Sequence, residues 1–212
     1  MSVRILAVSD RVVKWIYSPE IDRCSEKFDL VISCGDLPYT YMEYIVTMSG
    51  LPAFYVHGNH DHPEYLSGGM TLKEPGGWVN LDGRVVKSNG LLIAGLEGSI
   101  RYRPDGDFQY TEFQMLNKIW RLAPKLLWNR TRYGRYLDIL VTHSPPFDIH
   151  DGTDTAHRGF KVFRAFMRRF RPRYLLHGHK QAFGSQERTT RYLDTEVVNV
   201  LPYRVVHWRK NV

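Results

Sequence analysis

The strongest constraint on the fold of this chain is a series of short apolar runs. They span residues 3–8, 30–33, 52–56, 91–96, 139–141 and 175–176, with Arg4 and Ser33 as polar members of the first two. Continuous apolar runs of this kind are typical of strands covered on both faces, as in the sheets of α/β proteins. The sequence therefore predicts an α/β fold with several buried strands.

Five of the runs lead into polar residues with a shared chemistry. These residues are Asp10, Asp36, Asn59 with His60, His143 and His179. In open α/β sheets, ligands bind beyond the carboxyl ends of the strands. A turn or a surface histidine explains any one of them, but five in this order predict a common metal-binding site.

Helices and further strands are predicted between these runs. Helical patterns cover residues 40–49, 112–123 and 160–170, the last of them basic and amphipathic. Gly50 closes the first helix and Thr111 caps the second. Short strands are expected near Trp78 and at residues 85–86, 195–200 and 203–208.

The second predicted helix carries an aromatic pattern. Phe113, Leu116, Trp120 and Ala123 share one face, and we assign that face to the core rather than to a cofactor site. Pro124 should end this helix or begin a new one, because proline cannot donate a helical hydrogen bond.

Length and composition favour one globular domain covering residues 1–212. Hydrophobic residues make up 43% of the chain and charged residues 24%, which excludes a disordered protein. No apolar run could cross a bilayer or serve as a signal peptide. Two cysteines, Cys24 and Cys34, are too few for a disulfide scaffold, so the expected location is the reducing cytoplasm.

The net charge is the main compositional clue to partners. A formal charge of +7 favours anions such as phosphate esters, nucleotides or nucleic acid. A generally basic surface explains the charge equally well. The basic stretch 164–173 has Phe166, Met167 and Phe170 at helical spacing, which indicates an amphipathic helix with a solvated basic face rather than a nucleic-acid site.

The polar residues also form a recognisable series of motifs. In chain order they are Asp10, Gly35-Asp36, Gly58-Asn59-His60-Asp61, His143 and Gly178-His179. This order resembles the calcineurin-like metallophosphoesterase family, whose pattern is D-x-H, G-D, G-N-H-D/E, a lone His and G-H-x-H. The resemblance spans nearly the whole chain.

The resemblance implies a fold and a cofactor. The fold is a four-layer α/β/β/α sandwich with two mixed β-sheets. The cofactor is a pair of neighbouring divalent ions that share a bridging Asp and a bridging hydroxide. Asp, Asn and His ligands suit Mn, Fe, Zn or Mg, so the sequence leaves the metal open.

Two departures from the family pattern concern one of the two ions. Val12 stands where the family has the His of D-x-H, and Gln181 stands where it has the second His of G-H-x-H. The first site keeps only Asp10, the shared Asp36 and the oxygen of Gln181. The second site is complete, with Asp36, Asn59, His143 and His179. We therefore predict one tight ion and one weak or absent ion.

An incomplete first site leaves two carboxylates close together. Without a cation, the carboxylates of Asp10 and Asp36 would repel one another, and the pKa of one of them would rise. Three solutions stay open: a weak ion that binds with substrate, a positive charge from Arg11, Lys14 or Lys180, or an Asp10 that has turned away.

The resemblance also suggests catalytic roles. His60 is the candidate proton donor to the leaving group, and Asp61 would hold its ring and raise its basicity. Arg101, with Arg103 nearby, could meet a phosphate, and His157 could touch substrate or metal. The sequence motifs give no functional role to four other histidines, which we interpret as structural residues. They are His57, His62, His150 and His207.

Two functions follow as hypotheses. The first is a metal-dependent phosphoesterase that hydrolyses a phosphodiester or a phosphomonoester. The alternative, motivated by Val12 and Gln181, is a catalytically impaired binding or scaffold protein on the same fold. Such a protein would hold its partner through Trp128, Tyr133 and Tyr136. The oligomeric state is not predicted.

Overall fold

The computed structural model of the chain describes residues 2–180 and 188–209. Its strands are β1 Ser2–Val8, β2 Leu30–Ser33, β3 Ala53–Tyr55, β4 Glu64–Tyr65, β5 Thr71–Leu72, β6 Trp78–Asn80, β7 Val85–Ser88, β8 Leu91–Leu96, β9 Ser99–Ile100, β10 Gln109–Tyr110, β11 Ile139–Thr142, β12 Tyr174–His177, β13 Thr189–Tyr192, β14 Thr195–Asn199 and β15 Tyr203–Arg209. Its helices are α1 Glu20–Ser25, α2 Tyr39–Ser49, α3 Glu112–Tyr133 and α4 Lys161–Phe170.

Two mixed sheets organise the described part of the chain. The five-stranded sheet has the order β15-β1-β2-β3-β6, with β15 antiparallel to β1 and the other neighbours parallel. The six-stranded sheet has the order β13-β14-β12-β11-β8-β7, with antiparallel edge strands around a parallel centre. The α/β class predicted from the buried runs is thereby confirmed.

The alternating direction of the side chains along the buried strands explains how both faces of the sheet are covered. In β1, Ile5 belongs to a cluster that it shares with residues of the six-stranded sheet, such as Ile93. The next residue, Leu6, belongs to a cluster with residues of α2, such as Met42. Successive side chains of a strand point to opposite faces. One face of the five-stranded sheet therefore packs on the other sheet and the opposite face packs on helices.

The register of the strands brings their carboxyl ends level. Val8 of β1 pairs with Ser33 of β2, and Ser33 lies between Val8 and Tyr55 of β3. In the six-stranded sheet, Val141 of β11 pairs with Leu176 of β12. The loops that follow these strands therefore leave each sheet at the same edge.

Helix α3 differs from its prediction in length. It continues through Pro124 to Tyr133, instead of ending near Ala123. Leu122 and Leu126, on either side of the proline, are buried. Proline in a helix interior costs about 3 kcal/mol, and burying two leucines on the sheet offsets a cost of that size.

The assignment of the aromatic face of α3 to the core is wrong. Phe113 is 70% exposed and Trp120 is 67% exposed. The buried face carries Met115, Ile119, Leu122, Leu126 and Asn129. Both faces are apolar at helical spacing, so periodicity could not distinguish which one meets the sheet.

The basic amphipathic helix is confirmed as α4. Its apolar face buries Phe163, Phe166, Met167 and Phe170, and its arginines lie on the other side. The short helix α1 had no sequence signal. Within the described ranges, no helix combines the length and apolar character needed to cross a membrane.

Candidate metal centre

Side chains from three loops converge on one atom of a fourth side chain, that of His143. The Nε2 atom of His143 lies 3.3 Å from Oδ2 of Asp36, 3.1 Å from Oδ1 of Asn59 and 3.0 Å from Nδ1 of His179. Asp36 follows β2, Asn59 follows β3, and the two histidines follow β11 and β12. The structure thus brings together the four residues that the sequence assigns to the complete second site.

Backbone carbonyls fix both histidine rings. Nδ1 of His143 lies 2.7 Å from the carbonyl oxygen of Cys34, and Nε2 of His179 lies 2.7 Å from the carbonyl oxygen of Ala156. A ring nitrogen beside a carbonyl must carry its hydrogen and donate it. In the neutral rings the remaining nitrogens therefore present lone pairs toward one another, the usual arrangement of metal-binding imidazoles.

The two oxygen donors are oriented in the same way. Nδ2 of Asn59 donates to the hydroxyl oxygen of Tyr102 at 3.1 Å, which turns the amide oxygen toward His143. The backbone N–H of His60 donates to Oδ1 of Asp36 at 2.8 Å and leaves Oδ2 for the centre. All four donor atoms are thus set by partners outside the cluster.

The electrostatics of the metal-free centre show what a cation would replace. Burial opposes the charge on His143, but the Asp36 carboxylate raises its pKa to about 9. Burial likewise opposes ionisation of Asp36, but His143 lowers its pKa to about 2. Burial and His143 together lower the pKa of His179 to about 3. A proton on His143 therefore occupies the centre, and a metal ion would compete with it for the same lone pairs.

The donor set fits a divalent ion. Ligand atoms of Asp36, His143 and His179 all lie within 4.8 Å of one another. Donors about 2.1 Å from a shared ion lie about 3.0–3.4 Å apart in tetrahedral or octahedral geometry, close to the separations found here. A donor set of one carboxylate, one amide oxygen and two imidazoles suits Mn, Fe or Zn better than it suits an ion that prefers oxygen ligands alone.

A match to a family model shows which family the chain belongs to. The model of the calcineurin-like phosphoesterases matches residues 5–182, a range that contains all four donors. The chain belongs to the calcineurin-like phosphoesterase family. The divalent-metal cofactor expected from the motifs is a property of that family, as is action on phosphoester substrates.

Solved structures share the fold of this calcineurin-like phosphoesterase. The Thermus thermophilus protein TT1561 has a TM-score of 0.60 and 15% identity, over 94% of this chain and 89% of that one. GAP50, the anchor in the inner membrane complex of Plasmodium, has a TM-score of 0.52 and 13% identity, over 93% and 71%. Such low identities show a common fold alone. A search of curated proteins found no match.

The first of the two expected ion sites is incomplete among the described residues. Oδ2 of Asp10 accepts hydrogen bonds from the Ser9 hydroxyl and from the backbone N–H of His179, at 3.0 Å for the latter. Val12 is 44% exposed, and Gln181 lies outside the described residues. Burial raises the pKa of Asp10, the charge of Asp36 adds to this effect, and His143 opposes it.

The ammonium of Lys180 has a backbone partner. Its Nζ donates to the carbonyl oxygen of Asp151 at 2.5 Å. This contact favours a role in holding the loop after β11 over the role of replacing a cation. The hydrogen bonds from Ser9 and His179 to Asp10 are a way to offset the repulsion between the carboxylates that none of the three expected solutions includes.

Asp61 contacts other atoms than the sequence predicts. Its carboxylate accepts the backbone N–H of Gly58 at 2.8 Å and that of Leu37 at 3.1 Å. One oxygen therefore braces the turn that carries Asn59 and His60, and the other ties that turn to the loop after β2. We correct the expected contact with the His60 ring to a contact with the backbone of the loops. Burial and the charge of Asp36 raise the pKa of Asp61 to about 6.

His60 lies at the opening of the site. Its ring is exposed, and it lines a cavity of about 270 Å³ together with Asp36 and Leu37. A group in this cavity would be near both His60 and Asp36. The predicted proton donor therefore shares a cavity with one of the candidate metal ligands.

The two predicted substrate contacts differ in their placement. The ring of His157 lies 5.3 Å from that of His179 between centroids, at the rim of the centre, and Asp154 binds its Nδ1 at 2.9 Å. Arg101 directs Nη2 to the carbonyl oxygen of Gln109 at 3.2 Å. His157 is thus placed to touch a bound ligand, whereas the side chain of Arg101 contacts the backbone of Gln109, eight residues further along the chain.

The turns that carry the site hold backbone in an unusual conformation. Asp10, Asp36 and His179 have φ angles of 61°, 57° and 69°. Residues other than glycine rarely adopt positive φ, at a cost of about 1–2 kcal/mol each. Such strain at three neighbouring site residues is typical of functional sites.

Sequence reasoning missed the residues behind the centre. Tyr102, which orients Asn59, has no motif around it, and the carbonyls of Cys34 and Ala156 carry no side-chain signal. A charged cluster behind the loop of Asn59 was also missed. Nδ1 of His57 lies 3.0 Å from Oε2 of Glu97, and Nζ of Lys118 lies 2.8 Å from both Glu97 and Asp82.

We expect Lys118→Met to destabilise the protein by about 3 kcal/mol, because it leaves two largely buried carboxylates without their cation. Glu97 would lose the ammonium that, with His57, keeps its pKa near 2 against the effect of burial. Urea unfolding measures the change. Lys125→Met, on the exposed side of the same helix, should change stability by less than about 0.5 kcal/mol. Equal effects of the two variants would contradict a supporting role for the cluster.

Proposed function

We propose that the chain is a metal-dependent phosphoesterase with one strong ion site formed by Asp36, Asn59, His143 and His179. The observation that carries the proposal is the convergence of three oriented donor atoms on Nε2 of His143, each within 3.3 Å. Two imidazole nitrogens and two oxygens turned toward one point repel one another, and in the metal-free centre the proton on His143 offsets this repulsion. A cation at this point relieves that repulsion.

The residues around the site suit phosphoester hydrolysis. A divalent ion, when bound, would lower the pKa of a water molecule and polarise the phosphoryl group. His60, exposed beside the cavity of about 270 Å³, donates a proton to the leaving oxygen. His157 contacts the ester at the rim, and Asp61 holds the loop that positions His60 and Asn59. Arg101 stays a weaker candidate for binding the phosphate.

The number of ions follows from the same contacts. Asp10 already accepts hydrogen bonds from the hydroxyl of Ser9 and the backbone N–H of His179, and Val12 offers no ligand atom. We therefore propose one tightly held ion, with Mn, Fe or Zn favoured over Mg by the two imidazoles. The basic chain favours a phosphodiester or a nucleotide over a small monoester. The free thiols of Cys24 and Cys34 support a cytoplasmic location.

The test compares two phosphodiesters that differ in their leaving group. We expect the chain with Mn²⁺ to hydrolyse both an alkyl ester and an aryl ester. His60→Ala should lower the alkyl rate by about 10²–10⁴-fold, the range for a lost general acid, and the aryl rate far less, since phenolates leave without a proton. His207→Ala, exposed near the opposite end of β1, is the control. Equal losses of rate for the two esters would contradict the proposal that His60 donates the proton.

The second candidate is a binding protein that retains one ion and has no turnover. The exposed Val12 and the hydrogen-bonded Asp10 favour it. Its signature is tight metal binding with no hydrolysis of either ester in the presence of Mn²⁺, Fe²⁺, Zn²⁺ or Mg²⁺. Measurable, metal-dependent turnover by the parent chain excludes it.

A further inference from the structure

Helix α3 has a second apolar face that no other element covers within the described ranges. Phe113, Trp120 and Leu127 follow one another at seven-residue spacing and are 70%, 67% and 47% exposed. Leu116 and Ala123 lie between them along the same side. A face with this a/d pattern is the kind that packs against another helix.

Helix α4 supplies the other wall of a groove. Val162, Ala165 and Phe166 face Leu116 and Trp120 across a cavity of about 290 Å³. The cavity is a furrow between two helices rather than a flat patch. Its shape and apolar lining suit the apolar side of a single helix, which recognises a groove through residues at positions i, i+3, i+4 and i+7.

A basin of arginines continues the groove. It has a volume of about 450 Å³ and shares Arg169 and Phe170 with the groove. Its guanidinium groups belong to Arg130, Arg135, Arg168, Arg169 and Arg171. The basin lies where α3 and α4 end and the chain enters β11 and β12, at the opposite end of these strands from the metal centre.

The charge of this basin is only partly compensated by the described chain. Arg135 pairs with Asp138 at 2.8 Å and Arg171 with Asp194 at 3.6 Å. In contrast, Arg130 donates to the carbonyl of Gly134, Arg169 to the hydroxyl of Tyr136, and Arg168 to that of Tyr192. Three guanidinium groups thus have neutral hydrogen-bond partners and remain available to an anion.

We propose that the groove and the arginine basin together bind an amphipathic helix of a partner protein whose flanks are acidic. The groove takes the apolar side of that helix, and the basin takes carboxylates at its end. The docked helix would leave the metal centre open, because it lies along the outside of α3 and α4. The proposal is independent of the catalytic function.

A second copy of this face does not fit the basin. Glu112 is the only acidic residue of α3 and α4, and its carboxylate already accepts the backbone N–H groups of Lys161 and Val162 at 2.7 and 3.2 Å. Pairing two copies through these helices would bring arginines and lysines to the basin and no free carboxylate. Charge complementarity therefore selects a different, acidic partner.

The test is a calorimetric titration of the full chain with three synthetic peptides of about 20 residues, long enough to form a helix of about 30 Å alongside α3. The first has Leu at heptad positions a and d with Glu on the flanks. The second replaces each Glu with Lys, and the third scrambles the first. We expect micromolar binding of the acidic peptide only, weakening as salt is raised.

Variants assign the binding to the proposed surface. Trp120→Ser with Leu127→Ser should weaken binding at least about tenfold by removing buried apolar contacts, and Arg130→Glu with Arg168→Glu should do the same by reversing charge. Leu193→Ser and Arg23→Glu, exposed residues elsewhere, are the matched controls. Unchanged metal content reports that each variant is folded.

Several results would overturn the proposal. One is no binding of the acidic peptide, and another is equal binding of the acidic and basic peptides. Binding to phosphatidylserine vesicles through Trp120, without a preference among the peptides, would assign the face to a membrane surface. Dimerisation of the parent chain that the Trp120→Ser and Leu127→Ser changes abolish would assign it to a second copy.

Discussion

The Asp36→Asn variant is expected to lose the proposed tightly bound metal ion and with it at least about 10³-fold of the proposed phosphoesterase activity. Asp36 is the one anionic residue among the four candidate metal ligands. Replacing a carboxylate with an isosteric amide removes most of the attraction for a divalent cation. Changes to residues that only support a ligand already cost 10–100-fold in affinity or activity, so the loss of a charged ligand should exceed that range.

Metal analysis of the purified variant and an activity assay check this result together. Asp29→Asn is the control, because Asp29 directly precedes β2, at the opposite end of the strand from Asp36, and accepts the backbone N–H of Arg4. It undergoes the same chemical change far from the centre. A metal content near one ion per chain in Asp36→Asn would show that the ion binds elsewhere.

Chelation should also lower the melting temperature of the parent chain. A ligand at a hundred times its dissociation constant stabilises the folded state by about 2.7 kcal/mol. Asp36→Asn should melt at the same temperature with and without chelator, whereas Asp29→Asn should respond like the parent.

Gly35→Ala is expected to destabilise the fold by about 3–5 kcal/mol and to weaken metal binding. A Cβ atom at Gly35 would lie 2.3 Å from the backbone nitrogen of Gly58 and 2.8 Å from its Cα. No side-chain rotation can relieve a clash with backbone, so the loops after β2 and β3 must separate. Overpacking costs about 1–3 kcal/mol or more, and the φ of 92° at this position adds about 1–2 kcal/mol for a residue with a side chain.

Gly83→Ala separates the two contributions. Gly83 also has a positive φ, of 63°, but a Cβ there would meet nothing within 4 Å. Its loss of stability should therefore be about 1–2 kcal/mol from backbone strain alone, with metal binding unchanged. Guanidinium unfolding curves and metal titrations measure both quantities. Similar losses in the two variants would show that the close approach of the loops at Gly35 is relieved without cost.

Much of the fold could be predicted because buried strands leave a strong local signal. The runs at 3–8, 30–33, 91–96 and 139–141 coincide with β1, β2, β8 and β11 to within a residue. A buried parallel strand must be apolar on both faces, so a short run of apolar residues in the sequence is enough to locate it. The polar residues directly after these runs, in the order of the family motifs, likewise predicted which side chains would meet.

Features of the structure that depend on contacts between distant parts of the chain could not be predicted. Two apolar faces of α3 satisfy the same periodicity, and only the packing of the helix on the sheet decided that Met115 is buried and Trp120 exposed. The carboxylate of Asp61 braces backbone rather than the ring of His60 because the loops of β2 and β3 lie side by side.

The sequence by itself determined that Asp36, Asn59, His143 and His179 follow strands of an α/β fold, because hydrophobic patterning and motif order are local properties of the chain. Only the tertiary structure decided how these side chains are held. Their outer partners, the carbonyls of Cys34 and Ala156 and the hydroxyl of Tyr102, come from segments far away in sequence. Backbone groups are the same in every residue, so their positions are set by the packing of the sheets and not by any motif.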